Sequence, residues 1–266
     1  MSRKMKVIPL GTNGFFATYN RQTASYAIPL GKKLIILDAG SGLFRLAEPI
    51  GLELLKDAKE IHLYLSHYHL DHTFGFYSAF KLLEGKKVTV YAETNRKVFA
   101  DLAKEYFPID FEKEYANFNW KMIKIGTNKI DNYEVRVRKQ YHRGSGSLAF
   151  RFKFNDGKEL AYATDNEPTW ESVEFARGTN LLLQEQYQSG EEILLKPNVK
   201  LEDHFDGKHT TTVGAAIIAK EAKVGKLALI HHFPFYDDKR LEKLLRVARS
   251  IFPDTILAED LREIDF

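Results

Sequence analysis

Residues 67 to 72 read His67-Tyr-His69-Leu-Asp71-His72, which places four side chains able to ligate a metal within six positions. Side chains two apart in an extended segment point the same way, so His67 and His69 can converge on one cation. Asp71 and His72 come after the chain begins to turn and can face a second cation beside the first. A catalytic divalent ion takes roughly three protein ligands and keeps a position open for water. The cluster therefore supplies parts of two sites and the whole of neither. Crowding so many polar groups with no cation among them would be costly to bury.

The remaining ligands must come from further along the chain, and several candidates stand at the ends of apolar, strand-like runs. His142 follows the run from Tyr133, and Asp165 follows the run Glu159 to Ala163. These are the ligand types that the first cluster lacks. Glu185 closes the run from Asn180, and His231-His232 follow the run Leu227 to Ile230. At least one of that histidine pair is needed, because the second site still lacks an imidazole. His209 stands just before a helical stretch whose N-cap is one of the threonines Thr210 to Thr212.

His67-Tyr-His69-Leu-Asp71-His72 resembles the HxHxDH signature of the metallo-β-lactamase fold hydrolases, and the resemblance covers nearly the whole chain. It implies an α/β fold, a four-layer αββα sandwich of two mixed sheets flanked by helices. It also implies two divalent ions, zinc first, with manganese or iron as alternatives. In family terms His142 completes the first site. Asp165, in a stretch similar to the "T-D-x-E" of the phosphodiesterase-like members, bridges the two ions. The pattern "L-x-L-x-H-F/H-x-P" maps the last ligand of the second site to His232, with His231 where many members carry threonine. Asp38, in the "strand, D-x-G" pattern, underpins the ligand loop without ligating. His209 resembles the "G-H-S/T" histidine of the phosphodiesterase and transfer-RNA-processing branch, which protonates the leaving group, and Glu185 resembles the acid that orients it. With Asp71, these two make up the expected catalytic set. The local sequence departs from that pattern, since Gly207-Lys208-His209 carries an extra cation.

The elements that must hold these residues alternate in type. Strands are expected at Met5 to Leu10, Tyr26 to Leu30, Lys33 to Leu37, Ile61 to Leu65 and Lys87 to Tyr91, with a hairpin through Gly31. Helices are expected at Leu43 to Lys59, broken at Pro49-Ile-Gly51, then at Phe74 to Leu83 and Thr94 to Phe107. Four strands follow, at Phe118 to Ile125, Tyr133 to Tyr141, Leu148 to Phe154 and Glu159 to Ala163, separated by Gly126-Thr-Asn128, Gly144-Ser-Gly146 and Asn155-Asp-Gly157. The last third returns to alternation. Helices are expected at Glu171 to Arg177, Thr210 to Ala222 and Lys239 to Arg249, with strands at Asn180 to Gln184, Leu227 to Ile230 and Thr255 to Ala258. No linker divides the chain, so residues 1–266 are expected to form one domain.

Composition narrows the function class. The chain has 266 residues, 44% hydrophobic and 28% charged, as soluble globular proteins do. No apolar run approaches the roughly 20 residues of a membrane span, and Met1 to Val7 lacks a signal-peptide apolar region. A cytoplasmic protein with no membrane partner is the expectation. Absence of cysteine leaves imidazole and carboxylate as the only ligands. Thirty-nine basic and 36 acidic residues give a net charge of +3, too weak to argue for nucleic acid alone. Expulsion of an alkoxide from a phosphodiester benefits from a general acid, so His209 favours a small-molecule or nucleotide phosphodiester. Arg143, Lys208 and Ser145 to Ser147 offer donors for its oxygens. Transfer RNA as substrate of a 3′-processing endonuclease is the second reading, acyl hydrolysis of a thioester, lactone or β-lactam is the third, and a homodimer is expected from general frequency.

Overall fold

The computed structural model describes residues 5–266 apart from 96, 98, 100, 102–109, 143, 145 and 189–198. Two seven-stranded sheets form the body. The first contains β1 (Lys6–Gly11), β2 (Ser25–Leu30), β3 (Lys33–Leu37), β4 (Glu60–Tyr64), β5 (Lys87–Ala92) and β6 (Phe118–Met122), with the C-terminal β16 (Ile264–Asp265) beside β1. The second runs β15-β14-β11-β10-β9-β8-β7, where these are Thr255–Leu257, Lys226–Ile230, Leu181–Glu185, Glu159–Ala163, Ser147–Phe154, Tyr133–Gln140 and Gly126–Ile130, and β12 (Phe205–Asp206) pairs with β13 (His209–Thr210) as a separate ribbon.

Both sheets are antiparallel on one side and parallel on the other. In the first, β1, β2 and β3 pair antiparallel and β3, β4, β5 and β6 pair parallel. In the second, β7 to β10 pair antiparallel, and β10, β11, β14 and β15 pair parallel. Alternate residues of each strand face the other sheet, and Tyr26, Ile35, Phe150, Phe152 and Leu183 close the interior between them. Each such fully buried side chain contributes about 1.5–3 kcal/mol relative to exposure. Outer layers cover the other faces. The helix Pro49–Asp57 lies with a 3₁₀ turn at Ser41–Ala47 on the first sheet, while the helices Trp170–Ala176, Thr212–Ala222 and Asp238–Ile251 lie on the second. The expected four-layer arrangement of two mixed sheets between helices is the one observed.

Two expected elements differ. Phe74 to Leu83 is not one helix but a 3₁₀ turn at Phe74–Tyr77 and a short helix at Ala79–Leu82. Gly75 explains the interruption: its N–H donates to Ala39 O at 2.7 Å, and a Cβ there would lie 2.6 Å from Gly40 O, so the chain is pressed against the turn after β3. Gly126 to Asn128 is no separator but the start of β7, which turns into β8 through Asp131-Asn132 with Asp131 at φ 46°. Part of the expected helix Thr94 to Phe107 lies outside the described residues.

Every strand that delivers a candidate ligand ends at the same rim of the sandwich. Asp38 and His231 are the first residues after β3 and β14, and Asp165 is the second after β10; their φ values are 57°, 54° and 49°. A left-handed backbone at a residue with a side chain costs about 1–2 kcal/mol. Here it reverses the chain as it leaves the sheet and drives each of the three side chains into the rim.

Candidate metal centre

At that rim, His67 and His69 leave β4 on an extended loop, and Asp71 and His72 lie in the single helical turn Leu70–Thr73. The loop after β8 supplies His142. These side chains converge with Asp165 and His231 from the second sheet. His69 Nδ1 lies 2.9 Å from His67 Nε2 and 3.3 Å from His142 Nε2, with Asp165 Oδ1 at 3.5 Å from His142 Nε2 and 4.0 Å from His67 Nε2. On the other side of Asp165, His72 Nε2 is 3.1 Å from Asp165 Oδ2, 3.3 Å from Asp71 Oδ2 and 3.2 Å from His231 Nε2. His231 Nε2 is 3.3 Å from both carboxylates. A tetrahedral ion with bonds of about 2.1 Å has donor atoms about 3.4 Å apart, within the 2.9–4.0 Å range of the two groups.

The partners behind the imidazoles decide which ring nitrogens face the centre. Ser66 Oγ donates to Asp38 Oδ2 at 2.7 Å and accepts from His67 Nδ1 at 3.0 Å, which leaves the His67 Nε2 lone pair free. His72 Nδ1 donates to Asp38 Oδ2 at 2.8 Å, and His142 Nδ1 donates to Lys208 O at 3.0 Å. Three Nε2 atoms thus face inward, an arrangement that suits a cation between them. Asp38 receives further bonds from the Ser66 N–H at 2.7 Å and from Tyr162 Oη at 2.6 Å. The donor set fits two divalent ions.

Electrostatics separates the two groups. Burial, with neighbouring imidazoles adding to it, holds His67, His69 and His142 below the ordinary histidine range. Burial acts the same way on His72, but Asp71, Asp165 and Asp38 outweigh it and raise it well above that range. His231 is likewise pushed up to about 10 by Asp165, Asp71 and Glu185 against the effect of burial. Burial would raise Asp165; His231, His72 and His67 instead hold it well below the usual carboxylate range.

Residues 33–232 match the family model described as the Beta-lactamase superfamily domain. The chain belongs to that family. Within the metallo-β-lactamase superfamily it stands on the ribonuclease Z-like side and is a hydrolase. A ribonuclease Z of Pyrococcus horikoshii is 26% identical over 309 aligned positions, covering 98% of this chain and 95% of that one. Among solved structures, the metallo-β-lactamase fold protein YhfI from Bacillus subtilis superposes with a TM-score of 0.73 at 20% identity, covering 99% of this chain and all of that one (100%). A diphosphatase of the PhnP family superposes with a TM-score of 0.66 at 16% identity, covering 99% and 98%. The fold implies divalent metal binding. No helix among the described residues is long and apolar enough to cross a membrane.

One expected ligand of this metallo-β-lactamase centre is corrected. His231, not His232, enters the cluster. The left-handed turn at His231 sends its ring outward, so His232 points back into the body. There Gln186 Nε2 donates to His232 Nδ1 at 2.8 Å and His232 Nε2 donates to Ala258 O at 2.9 Å, which occupies both ring nitrogens. Gly14 makes room for the outward ring, since a Cβ there would sit 2.3 Å from His231 Cε1.

The expected His209 and Glu185 pair is brought together beside the centre. His209 Nδ1 lies 2.8 Å from Glu185 Oε2 and 3.6 Å from Asp165 Oδ1. The buried Glu185 also accepts from the Asn166 and Thr210 N–H groups at 2.7 and 2.9 Å and faces His231 Nδ1 at 3.5 Å. Its carboxyl is held below the ordinary range, where burial opposes and His209 and His231 prevail. A cleft of about 750 Å³ opens over the centre, lined by His69, Asp71, His142, Asp165, His209 and His231 among others.

Some contributors had no role assigned from the sequence. Glu167 accepts from Arg138 and from the Tyr141 N–H, which anchors the segment carrying His142. Phe15, with φ 62°, donates its N–H to Asp71 Oδ2 at 2.8 Å. Among the expected oxyanion donors, Arg143 and Ser145 lie outside the described residues. Ser147 is instead buried, donating to Asp165 O at 2.8 Å. The Lys208 ammonium lies over the rings of Tyr141 and Phe205, 5.3 and 5.7 Å from their centroids.

Proposed function

We propose that this chain, acting as one domain, is a two-metal phosphodiesterase with a small-molecule or nucleotide substrate. His67, His69 and His142 would hold one ion and Asp71, His72 and His231 the other, with Asp165 between the two groups. Zinc suits these nitrogen and oxygen donors, as do manganese and iron. Divalent ions bound there would supply Lewis-acid polarisation of the phosphoryl group and activation of water at neutral pH. Asp165 offsets the charge of both sites, and Asp38 holds His72 directly and His67 through Ser66. Glu185 fixes the His209 ring through Nδ1, and Nε2 is the atom that carries a proton to the departing alkoxide.

The observation that carries this reading is the His209–Glu185 pair at 2.8 Å, outside the ligand set yet on the wall of the same cleft. A leaving alkoxide needs a proton more than the leaving group of a strained amide does, so the pair favours phosphodiester over acyl hydrolysis. The likeness to a PhnP-family diphosphatase agrees with it.

Processing of transfer RNA is supported by the ribonuclease Z likeness over almost the whole chain. That alignment spans 309 positions against the 266 residues here, so the relative carries segments that this chain lacks. The smaller outline favours a smaller substrate. Protein loaded with zinc, manganese or iron should hydrolyse bis(p-nitrophenyl) phosphate or a cyclic nucleotide faster than a thioester or a β-lactam. Selective cleavage of a transfer-RNA precursor at its 3′ side would move the assignment to the endonuclease reading, and a preference for the thioester would overturn both.

A further inference from the structure

Six rings form a continuous arc at one side of the cleft: Phe15, Phe233, Tyr187 and His209 line it, and Phe16 and Phe235 join them at its outer edge. Phe15 meets Phe16 at 5.3 Å between centroids, and Phe16 meets Phe235 at 5.3 Å. Phe235 meets Phe233 at 5.3 Å, Phe233 meets Tyr187 at 5.0 Å, and Tyr187 stacks on His209 at 4.1 Å and 28°. One end of the arc hangs from the residue whose N–H binds Asp71, and the other end is His209 itself. Its outer rings stand in solvent: Phe15 is 66% exposed, Phe16 37% and Phe235 72%.

An exposed aromatic edge in this position is unlike the scattered apolar residues of an ordinary surface, because it is contiguous and begins and ends on the reacting groups. None of its phenylalanine and tyrosine rings is charged, so the wall suits a neutral plane. The charge at this rim sits elsewhere, in the donor cluster and in the Lys208 ammonium over Tyr141 and Phe205. An occupant must therefore join a flat aromatic group to an anion across a short distance. A phosphodiester whose non-leaving arm is a nucleoside has that construction: the phosphate lies over the centre and the base lies on the arc.

We propose that the arc from Phe15 to Tyr187 is a stacking subsite for the nucleobase of the substrate, with Phe15 and Phe235 as its specificity-determining rings. The proposal rests on the phosphodiesterase reading for its chemistry and on the ring geometry for its ligand. Base stacking on such rings discriminates without reading base identity, so the subsite selects nucleosides over alkyl esters but does not choose strongly among bases.

The test compares two esters that share a leaving group, thymidine 5′-(p-nitrophenyl phosphate) and methyl p-nitrophenyl phosphate, on the metal-loaded protein. The thymidine ester should have a kcat/KM roughly tenfold to a hundredfold higher, the range expected for one stacked base. Phe235→Ala and Phe15→Leu should each cut that ratio several-fold, and Phe15→Leu keeps the backbone N–H on Asp71. Equal rates on the two esters, or a ratio that neither variant changes, would overturn the proposal. Binding is read separately, from the fluorescence quench of 2-aminopurine riboside 5′-monophosphate against competition by ribose 5-phosphate. If neither ester is hydrolysed, the phosphodiesterase reading falls while this titration still decides the subsite. Tighter binding of the nucleotide that weakens in Phe235→Ala sustains it, and affinity equal to that of ribose 5-phosphate ends it.

Discussion

The two halves of the donor cluster are built from similar ligands and supported differently. Around His67, His69 and His142 the supporting acceptors are neutral, a serine hydroxyl and a backbone carbonyl, and His69 is exposed. Around Asp71, His72 and His231 they are carboxylates: Asp38 lies behind His72 and Glu185 behind His231, and a further carboxylate, Asp71, faces the cation position. Apart from the shared Asp165, the first half has no carboxylate among the described residues. The second half is thus the more negative and the more deeply fixed, and the first is the more open to whatever enters the cleft. An electrostatic division of this kind suits one tightly held ion and one that exchanges more readily.

The contrast can be broken in several places. The largest effect is expected at His209, which belongs to neither half. His209→Ala should keep both ions while kcat on a diester with a poor alkoxide leaving group falls roughly 10²- to 10⁴-fold. The loss on a p-nitrophenyl ester should be much smaller. Metal analysis beside the two rates checks this, and loss of metal would place His209 among the ligands. Asp38→Ala should lower metal affinity or activity about tenfold to a hundredfold. The effect should reach the half containing His72 directly and the other half only through Ser66. Normal metal content and full activity at limiting metal would reduce Asp38 to a turn residue. At one equivalent of metal, anomalous scattering should show the Asp71–His72–His231 position filled ahead of the other. Equal occupancy would remove the asymmetry.

An effect on stability and none on the metal centre concerns the histidine that stayed inside. Burial pushes the His232 pKa down to about 4, and the bond from Gln186 requires a neutral Nδ1. Below a pH of about 6.5 the unfolded chain takes up a proton that the folded chain refuses. Stability from this residue is therefore complete above about 6.5 and is lost as pH falls toward 4, at about 1.4 kcal/mol per unit. Denaturant melts of wild type and His232→Gln across this window should diverge, with the variant showing the shallower slope and both ions retained. A variant that loses an ion would return His232 to the ligand set.

Much of the centre was legible in residue order because its ligands follow strand ends. Asp165, Glu185 and the 231–232 pair each terminate an apolar run, and in a sheet of parallel strands such ends share one rim. The hairpin through Asn155-Asp-Gly157 was readable for a similar local reason: those residues tolerate the turn. Gly126 misled because glycine marks a bulge or a strand start as readily as a loop, and only the pairing of β7 with β8 separates these cases. The helix expected from Phe74 failed because periodicity cannot report that Gly75 is pressed against the turn after β3.

By itself the sequence determined the chemistry that is possible here: imidazole and carboxylate ligands without thiolate, and enough of them for two cations. Composition and local spacing suffice for that, because ligand type and strand periodicity are properties of neighbouring residues. Tertiary structure decided the rest. Whether His231 or His232 faces the centre depends on the sign of one backbone φ, which the packing of Gly14 against the His231 ring permits. That Asp38 serves both halves, and that Phe15, Phe235 and Tyr187 join one arc, follows from segments far apart in the chain being folded onto one rim. Contacts of that separation leave no periodic trace in the order of the residues.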